Sequence, residues 1–212
     1  MSLKNKRVLI TCGPTWVSID DIRVITNRST GALGQQIAKD LRKRGTSITL
    51  LEGPVQKPYV SKSIKRIKYF FYQELFDLLK KELSKKKYDI IIHAAAVSDY
   101  SVKNKVRTKI RSGVKQLKLV LVPTIKIINE VKKLSPKSFL VGFKLESSSN
   151  KKVLTAKAVN LIGQARCDLV VANSIKNGYQ GYIVNKEGRI LSSARSKNKL
   201  SKNLITILNK EI

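Results

Sequence analysis

Short apolar runs of strand length alternate with amphipathic helical stripes along most of this chain, and that alternation limits the possible folds more than any other feature. A strand followed by a helix and another strand needs a crossover, so such runs lie parallel in one sheet with helices on its faces. Strand runs fall at residues 8–12, 47–52, 64–70, 89–96, 139–143 and 168–172, the last leading into Asn173. Helical stripes fall at 31–44, closed by Gly45, at 72–84, from Thr124 onward, at 151–165 and at 197–210. Residues 181–191 alternate around Lys186-Glu187-Gly188 and read as a hairpin. The expected fold is therefore α/β: a doubly wound, mostly parallel, Rossmann-like sheet with an antiparallel addition near the C-terminus. No repeat, low-complexity linker or change of composition divides residues 1–212, which are expected to form one domain.

The first strand, loop and helix read VLITCGPTWVSIDDIRVITNRSTGALG over residues 8–34. In a parallel sheet this loop lies outside the carboxyl end of its strand, where ligands bind and where helix N–H groups can face an anion. Gly13, Gly31 and Gly34 fit neither G-x-G-x-x-G nor the phosphate loop G-x-x-x-x-G-K-[ST], which disfavours an ordinary dinucleotide site. The loop instead carries Asn27, Arg28, Ser29 and Thr30 just ahead of the helix. Ser29 or Thr30 serves equally well as helix cap or as ligand contact. Asn27 and Arg28 are not needed for capping and point to ligand contact.

A second informative segment, DIIIHAAAVSDY at residues 89–100, opens as a buried central strand. His93, the single histidine, reads as a satisfied core side chain rather than a catalytic base. Ala94, Ala95 and Ala96 leave room for a flat or bulky ligand at the strand's end, and Asp99 follows as a group for a ribose hydroxyl, a base amine or a metal. The basic loop beyond holds Lys109 and Arg111, cations of the kind that neutralise phosphates. The solvated reading is preferred for Arg111, and both readings stay open for Lys109.

Lys and Arg number 43 against 14 Asp and Glu, a formal charge of +29, which suits an anionic partner or reflects a general bias toward lysine. The lysines are spread over several helices and loops, so no sequence-specific nucleic-acid binding is expected. Cys12 and Cys167 lie at apolar runs with no neighbour at metal-ligand spacing, and are expected to be reduced, buried thiols. The N-terminus passes straight from basic residues into a strand, and no run reaches the length of a signal segment or membrane span. A soluble, cytoplasmic protein is expected.

Over about residues 7–185, the segments VLITCGPTWVSIDDIRVITNRSTGALG, DIIIHAAAVSDY, TKIRSG, VGFKLE and CDLVVAN occur in the order and spacing of a known family. The chain resembles phosphopantothenoylcysteine synthetase, also called phosphopantothenate-cysteine ligase. The most specific pieces are I-T-x-G-P-T, I-[ST]-N-x-S-[ST]-G-x-x-G and A-A-V-[AS]-D-Y. The resemblance implies a two-step ligation in coenzyme A biosynthesis. The carboxylate of 4'-phosphopantothenate attacks the α-phosphate of a nucleoside triphosphate, CTP in most bacterial members and otherwise ATP, with Mg²⁺, to give an acyl nucleotide and pyrophosphate. The amine of L-cysteine then displaces the nucleotide. A homodimer with composite sites is also implied. The flavin-dependent decarboxylase half to which bacteria often fuse this activity is not in the sequence, so no flavin is expected.

Carried over by motif, Asn27 is implied to hold the acyl nucleotide for attack and Lys109 to act at the nucleotide phosphates. Ala94, Ala95, Ala96 and Asp99 would surround the base and ribose. Val122, Pro123, Thr124, Ile125 and Lys126 would form a further nucleotide-contacting turn, with Phe143 as an aromatic contact. Gly13, Thr15, Arg28, Ser29, Thr30, Gly31, Gly34 and Arg111 complete the expected binding set. The family's K-x-K-K is Lys109-Ile110-Arg111-Ser112 here, and a usual proline is Ile125. Two nucleotide-binding lysines are replaced by Leu161 and Ala165, with Lys157 one turn earlier as the candidate substitute. Two other classes compete. An NAD(P)-dependent oxidoreductase would share the architecture but has only Glu52 in its favour. A basic nucleic-acid-binding module explains the charge and nothing about Asn27, Asp99 or Lys109.

Overall fold

β1 (Arg7–Cys12) is buried on both faces from Val8 onward, as a strand at the middle of a covered parallel sheet must be. In the computed structural model, which describes residues 2–59, 61–113 and 115–212, it is followed by a two-stranded excursion before the first helix. That excursion is β2 (Trp16–Ser18) and β3 (Val24–Thr26), and the helix is α1 (Ala32–Arg42). Next come β4 (Ser47–Glu52), β5 (Lys65–Lys68), α2 (Tyr72–Lys85) and β6 (Ile90–His93). A second excursion, β7 (Tyr100–Val102) and β8 (Leu121–Pro123), precedes α3 (Ile127–Leu134), β9 (Phe139–Glu146), α4 (Lys151–Ala165) and β10 (Leu169–Ser174). The hairpin β11 (Gln180–Asn185) and β12 (Ile190–Ala194) and the helix α5 (Lys197–Glu211) close the chain.

Eight strands form one sheet in the order β12-β11-β10-β9-β6-β1-β4-β5. The strands from β5 to β10 are parallel, in the spatial order of a doubly wound fold, and β11 and β12 are the antiparallel addition. Val8 of β1 lies between Ile48 of β4 and Ile90 of β6, so the reversal of strand order falls between β1 and β6. On one face, Ile37, Ala38 and Leu41 of α1 meet Leu200, Leu204 and Leu208 of α5. The other face is covered by Leu75 and Leu79 of α2, Ile127 and Val131 of α3, and Leu154 and Ala158 of α4. These spacings of three and four residues are those that put apolar side chains on one side of a helix.

The structure corrects several element boundaries. The first helix begins at Ala32 and its N-cap is Gly31, with a left-handed φ of 69° and no side-chain cap, so neither Ser29 nor Thr30 is the cap. The third begins at Ile127 rather than Thr124, because Thr124 is committed elsewhere: its N–H donates to the Asp99 carbonyl and its hydroxyl to that of Ser98. β6 stops at His93, β5 covers only Lys65–Lys68, and β9 runs on to Glu146. Both two-stranded excursions were read from the sequence as loops.

Two glycines permit the closest backbone approaches near the sheet's carboxyl edge. A Cβ on Gly34, in the first turn of α1, would collide with the Cβ of Cys12, and one on Gly53, just after β4, with the Pro14 carbonyl. Gly34→Ala is therefore expected to destabilise the fold by about 1–3 kcal/mol through overpacking, lowering the melting temperature by several degrees. Gly163→Ala, in α4 with no neighbour within 4 Å of the added Cβ, is the control and should stabilise slightly. Thermal melts of the two variants with the same sign of shift would contradict this account of Gly34.

Candidate functional site

In an open doubly wound sheet, the backbone groups at the point of strand reversal face a ligand. Here they are paired with one another. Ala94 N–H donates to the Thr11 carbonyl (3.0 Å), Ala96 N–H to Gly13 (2.9 Å), and Thr15 N–H back to Ala96 (3.3 Å). Thr15 is fully buried, its hydroxyl accepting from Ser98 N–H (2.9 Å) and its carbonyl from the Thr26 hydroxyl (3.1 Å). On the other flank, Gly53 N–H and the Tyr69 hydroxyl both donate to the Cys12 carbonyl, and Tyr69 also reaches Gly13. Thr15, Gly13 and Gly34 are thus interior residues that shape the site from beneath, rather than exposed contacts.

The exposed polar groups come from the excursions. The Asn27 amide, one residue past β3, donates to the carbonyls of Ala96 (3.0 Å) and Val97 (3.2 Å), tying its loop across the end of β6. The Ser29 and Thr30 hydroxyls accept from the N–H groups of Gly31 and Ala32, each at 3.4 Å, and Arg28 is exposed. Asp99 pairs with Lys126 (2.5 Å). Val122 and Pro123 lie in β8 opposite Ser101 and Tyr100, and the carbonyl of exposed Ile125 accepts from the Tyr72 hydroxyl (2.7 Å). Lys109 and Arg111 are exposed on either side of Ile110, whose N–H and carbonyl are bonded to Asp20 and Arg23. Burial alone would raise the Asp20 carboxyl, but the N–H groups of Ile22, Arg23 and Ile110, with the Arg23 guanidinium, bring it down to about 2.

Hydrogen bonds thus bring together the loop at Asn27, the turn from Ala94 to Asp99 and the turn from Val122 to Lys126. Lys109 and Arg111 are tied through Ile110 to the turn between β2 and β3, at the opposite end of β3 from Asn27. Among the described residues, no hydrogen bond or ion pair links Phe143 or Lys157 to the group. Phe143 is half-buried against the core beneath α1 and α5, and Lys157 is exposed on α4. Leu161 packs on the opposite core and Ala165 is buried in it. Among the described residues, no group of three or more His, Cys, Asp or Glu stands ready to hold a metal ion.

Other polar groups nearby are fully engaged. Glu52, at the end of β4 where a dinucleotide fold places its ribose-binding acid, is buried against Arg66 (3.1 Å), the Gln35 amide (2.7 Å) and Tyr59 N–H (3.1 Å). It offers nothing to a ribose, which removes the one residue favouring the oxidoreductase reading. His93 Nδ1 is 3.0 Å from the Thr11 hydroxyl, and burial depresses its imidazole to about 4, leaving it neutral at pH 7. Burial also pushes both thiols up, Cys167 to about 12 and Cys12 further, so each stays protonated and unreactive.

A doubly wound α/β sheet with its exposed polar groups gathered beyond the carboxyl ends of the central strands defines a Rossmann-like domain, and the strand reversal is where such folds take ligands. Residues 3–210 match the family described as the DNA/pantothenate metabolism flavoprotein C-terminal domain, and the chain belongs to that family. It is 45% identical over 175 residues to the coenzyme A biosynthesis bifunctional protein CoaBC of Thermococcus kodakarensis, covering 82% of this chain and 43% of that protein. The CoaBC of Borreliella burgdorferi is 32% identical over 216 residues, 97% of this chain and 53% of that protein. The chain thus spans about half the length of these relatives. Among solved structures, the DNA/pantothenate metabolism flavoprotein of Streptococcus pneumoniae superposes with a TM-score of 0.86 at 25% identity, covering 98% of this chain and all of that one. A Cab2 mutant in complex with phosphopantothenate-cysteine shares the fold with a TM-score of 0.80 at 20% identity, over 98% of this chain and 87% of that one.

Sequence reasoning passed over Asp20 and Arg23, which fix the loop bearing Lys109. The available signal was local: an aspartate ahead of a turn, with an arginine three residues on. His93 supplies a pH test. Its folded value lies below the ordinary 6.5, so its contribution to stability is complete above about pH 6.5 and is lost as pH falls toward 4. The loss amounts to roughly 3 kcal/mol. Denaturant melts between pH 7.5 and 4.5 should show His93→Gln losing less stability than the parent chain over this window. Parallel pH dependences for the two would show that His93 is not held neutral.

Proposed function

We propose that this chain is a phosphopantothenate-cysteine ligase, joining 4'-phosphopantothenate to L-cysteine through an acyl nucleotide in cytoplasmic coenzyme A biosynthesis. The observation that carries the reading is Asn27 held by its own amide across the end of β6, beside the two turns that the Asp99–Lys126 ion pair joins. Two findings on relatives agree with it. The bifunctional relatives are named for coenzyme A biosynthesis, and the Cab2 mutant was solved with phosphopantothenate-cysteine.

A carboxylate is a poor acyl donor until one of its oxygens becomes part of a good leaving group. Attack of the phosphopantothenate carboxylate on the α-phosphate of CTP expels pyrophosphate and gives the acyl cytidylate. The cysteine amine then attacks the acyl carbon, CMP leaves, and the amine proton is lost to form the amide. Mg²⁺ belongs to the substrate in this scheme, arriving on the triphosphate. Lys109 and Arg111 spread the charge of the transferring phosphoryl, with the first turn of α1, which has no acidic residue, as a further positive pole. Asn27 orients the acyl nucleotide for the amine. Asp99 and the small Ala94, Ala95 and Ala96 receive ribose and base, with Phe143 and the turn at residues 122–126 on the nucleotide's other sides. Lys157 stands in for the lysines replaced by Leu161 and Ala165.

The reading includes a homodimer. Among the described residues, the excursions expose large apolar side chains, including Ile22 at 69%, Val120 at 58% and Tyr100 at 53%. Exposed apolar side chains of this kind are surfaces that a second copy can cover. CTP is the preferred nucleotide, with ATP slower, and the distributed lysines give at most weak, salt-sensitive binding to nucleic acid.

The test separates the half-reactions by quenching mixtures of enzyme, Mg²⁺, nucleotide, phosphopantothenate and cysteine and following pyrophosphate, acyl nucleotide and amide. Lys109→Gln removes one electrostatic contact to the first transition state, worth ~3 kcal/mol or roughly a hundredfold in pyrophosphate release. Asn27→Asp is expected to slow the second step more and let acyl nucleotide accumulate. Because it also sets an anion against two carbonyls, its melting temperature is measured alongside. Identical profiles for the two variants would defeat the division of roles, and faster turnover with ATP than with CTP would refute the nucleotide assignment.

A further inference from the structure

Residues 103–120 leave the body of the protein after β7 and return at β8, closed at the neck by Lys103 N–H donating to the Val120 carbonyl (2.9 Å). Between those ends every described residue is exposed except Ile110. Among the described residues, Ile110 also makes the only hydrogen bonds in the interval from 104 to 118. Its N–H donates to Asp20 Oδ2 (3.1 Å), and its carbonyl accepts from both terminal nitrogens of Arg23 (3.3 and 3.4 Å). Both backbone polar groups of a single residue are therefore gripped, and the residues on either side of it are Lys109 and Arg111.

The grip is built for this geometry. Asp20 Oδ1 accepts from the N–H groups of Ile22 (2.8 Å) and Arg23 (2.7 Å), which fixes the carboxylate in the turn between β2 and β3. That leaves Oδ2 for the Arg23 guanidinium (2.6 Å) and for Ile110. A carboxylate can accept at both oxygens at once, and a guanidinium can hold the carboxylate and a carbonyl with one rigid fork. Asparagine or lysine can do only part of this. The same hairpin runs through β3 into Asn27, so one element carries the asparagine at one end and anchors the lysine's neighbour at the other.

We propose that Asp20 and Arg23 are positioning residues that hold Lys109 and Arg111 at the nucleotide phosphates by clamping the Ile110 peptide groups to the hairpin that ends in Asn27. The proposal rests on the ligase reading of Lys109. A bare loop of this length would present its cations over many arrangements, and the clamp pins the backbone within one residue of each. A group displaced by about 1 Å can lose up to roughly a hundredfold in rate. The strongly acidic carboxyl of Asp20 keeps the clamp charged throughout the working pH range.

The experiment is a double-mutant cycle with two readouts. Pyrophosphate release from CTP, Mg²⁺ and phosphopantothenate is measured for Asp20→Asn and Arg23→Lys, each in the parent chain and in Lys109→Gln. Limited trypsin digestion with mass spectrometry follows cleavage after Lys109. Each clamp variant is expected to lower the first step at least about tenfold in the parent but by no more than about twofold where Lys109 is already gone. Cleavage after Lys109 should accelerate while the melting temperature stays well above that of the assay. Arg23→Lys keeps the charge and serves if Asp20→Asn does not fold. Equal losses in both backgrounds, or a normal rate in a chain whose loop is cut faster, would overturn the positioning role alone. Normal pyrophosphate release by Lys109→Gln itself would overturn the ligase assignment of Lys109 and, with it, this proposal.

Discussion

The backbone pairing that carries on past the ends of β1 and β6, through Thr11, Gly13, Thr15, Ala94 and Ala96, is the constraint on which the site depends. Buried peptide groups must find partners, and at a strand reversal they ordinarily find them in water or in a ligand. Here they find one another. The floor at the strand reversal is therefore closed by the chain's own hydrogen bonds, and the polar side chains above it are carried on the excursions after β1 and β6.

This arrangement divides the chain into two kinds of structure. The sheet and its helices are held by wholly buried Leu, Ile and Val on both faces, and they tolerate no loosening. The hairpin β2–β3 and the arm around β7–β8 are held by a few specific polar contacts: Asn27 to two carbonyls, Thr124 to Asp99 and Ser98, Asp20 and Arg23 to Ile110. Elements secured this way can shift by breaking a few bonds, without repacking a core.

The layers of the fold were legible in the sequence because period and length act locally. Ile37, Ala38 and Leu41 declare a helix face, and DIIIH declares a covered strand, whatever surrounds them. Strand order agreed with the doubly wound expectation. The excursions were not legible, since strands of three residues have no period to detect and exist only through partners distant in sequence. The start of α1 was misplaced for a related reason: Ser29 and Thr30 look like caps, but Gly31 turns the chain against Val55. The segments bearing Asn27, Asp99 and Lys109 stood out through their motifs. Asp20 did not, because its importance lies in reaching a peptide group ninety residues away in the chain.

The position of β1 also has a consequence for how the protein comes into being. Among the eight strands of the sheet it is synthesised first, yet its two neighbours arrive in the order β4 and then β6, Val8 waiting first for Ile48 and then for Ile90. During synthesis its edge toward β6 stays unpaired until residue 90 has been made, and an open edge on an apolar strand is the situation that slows parallel sheets and invites misassociation. A formal charge of +29 is of the kind that keeps copies of a chain apart by repulsion. The strand that holds the finished fold together is the one most exposed while the fold is being built.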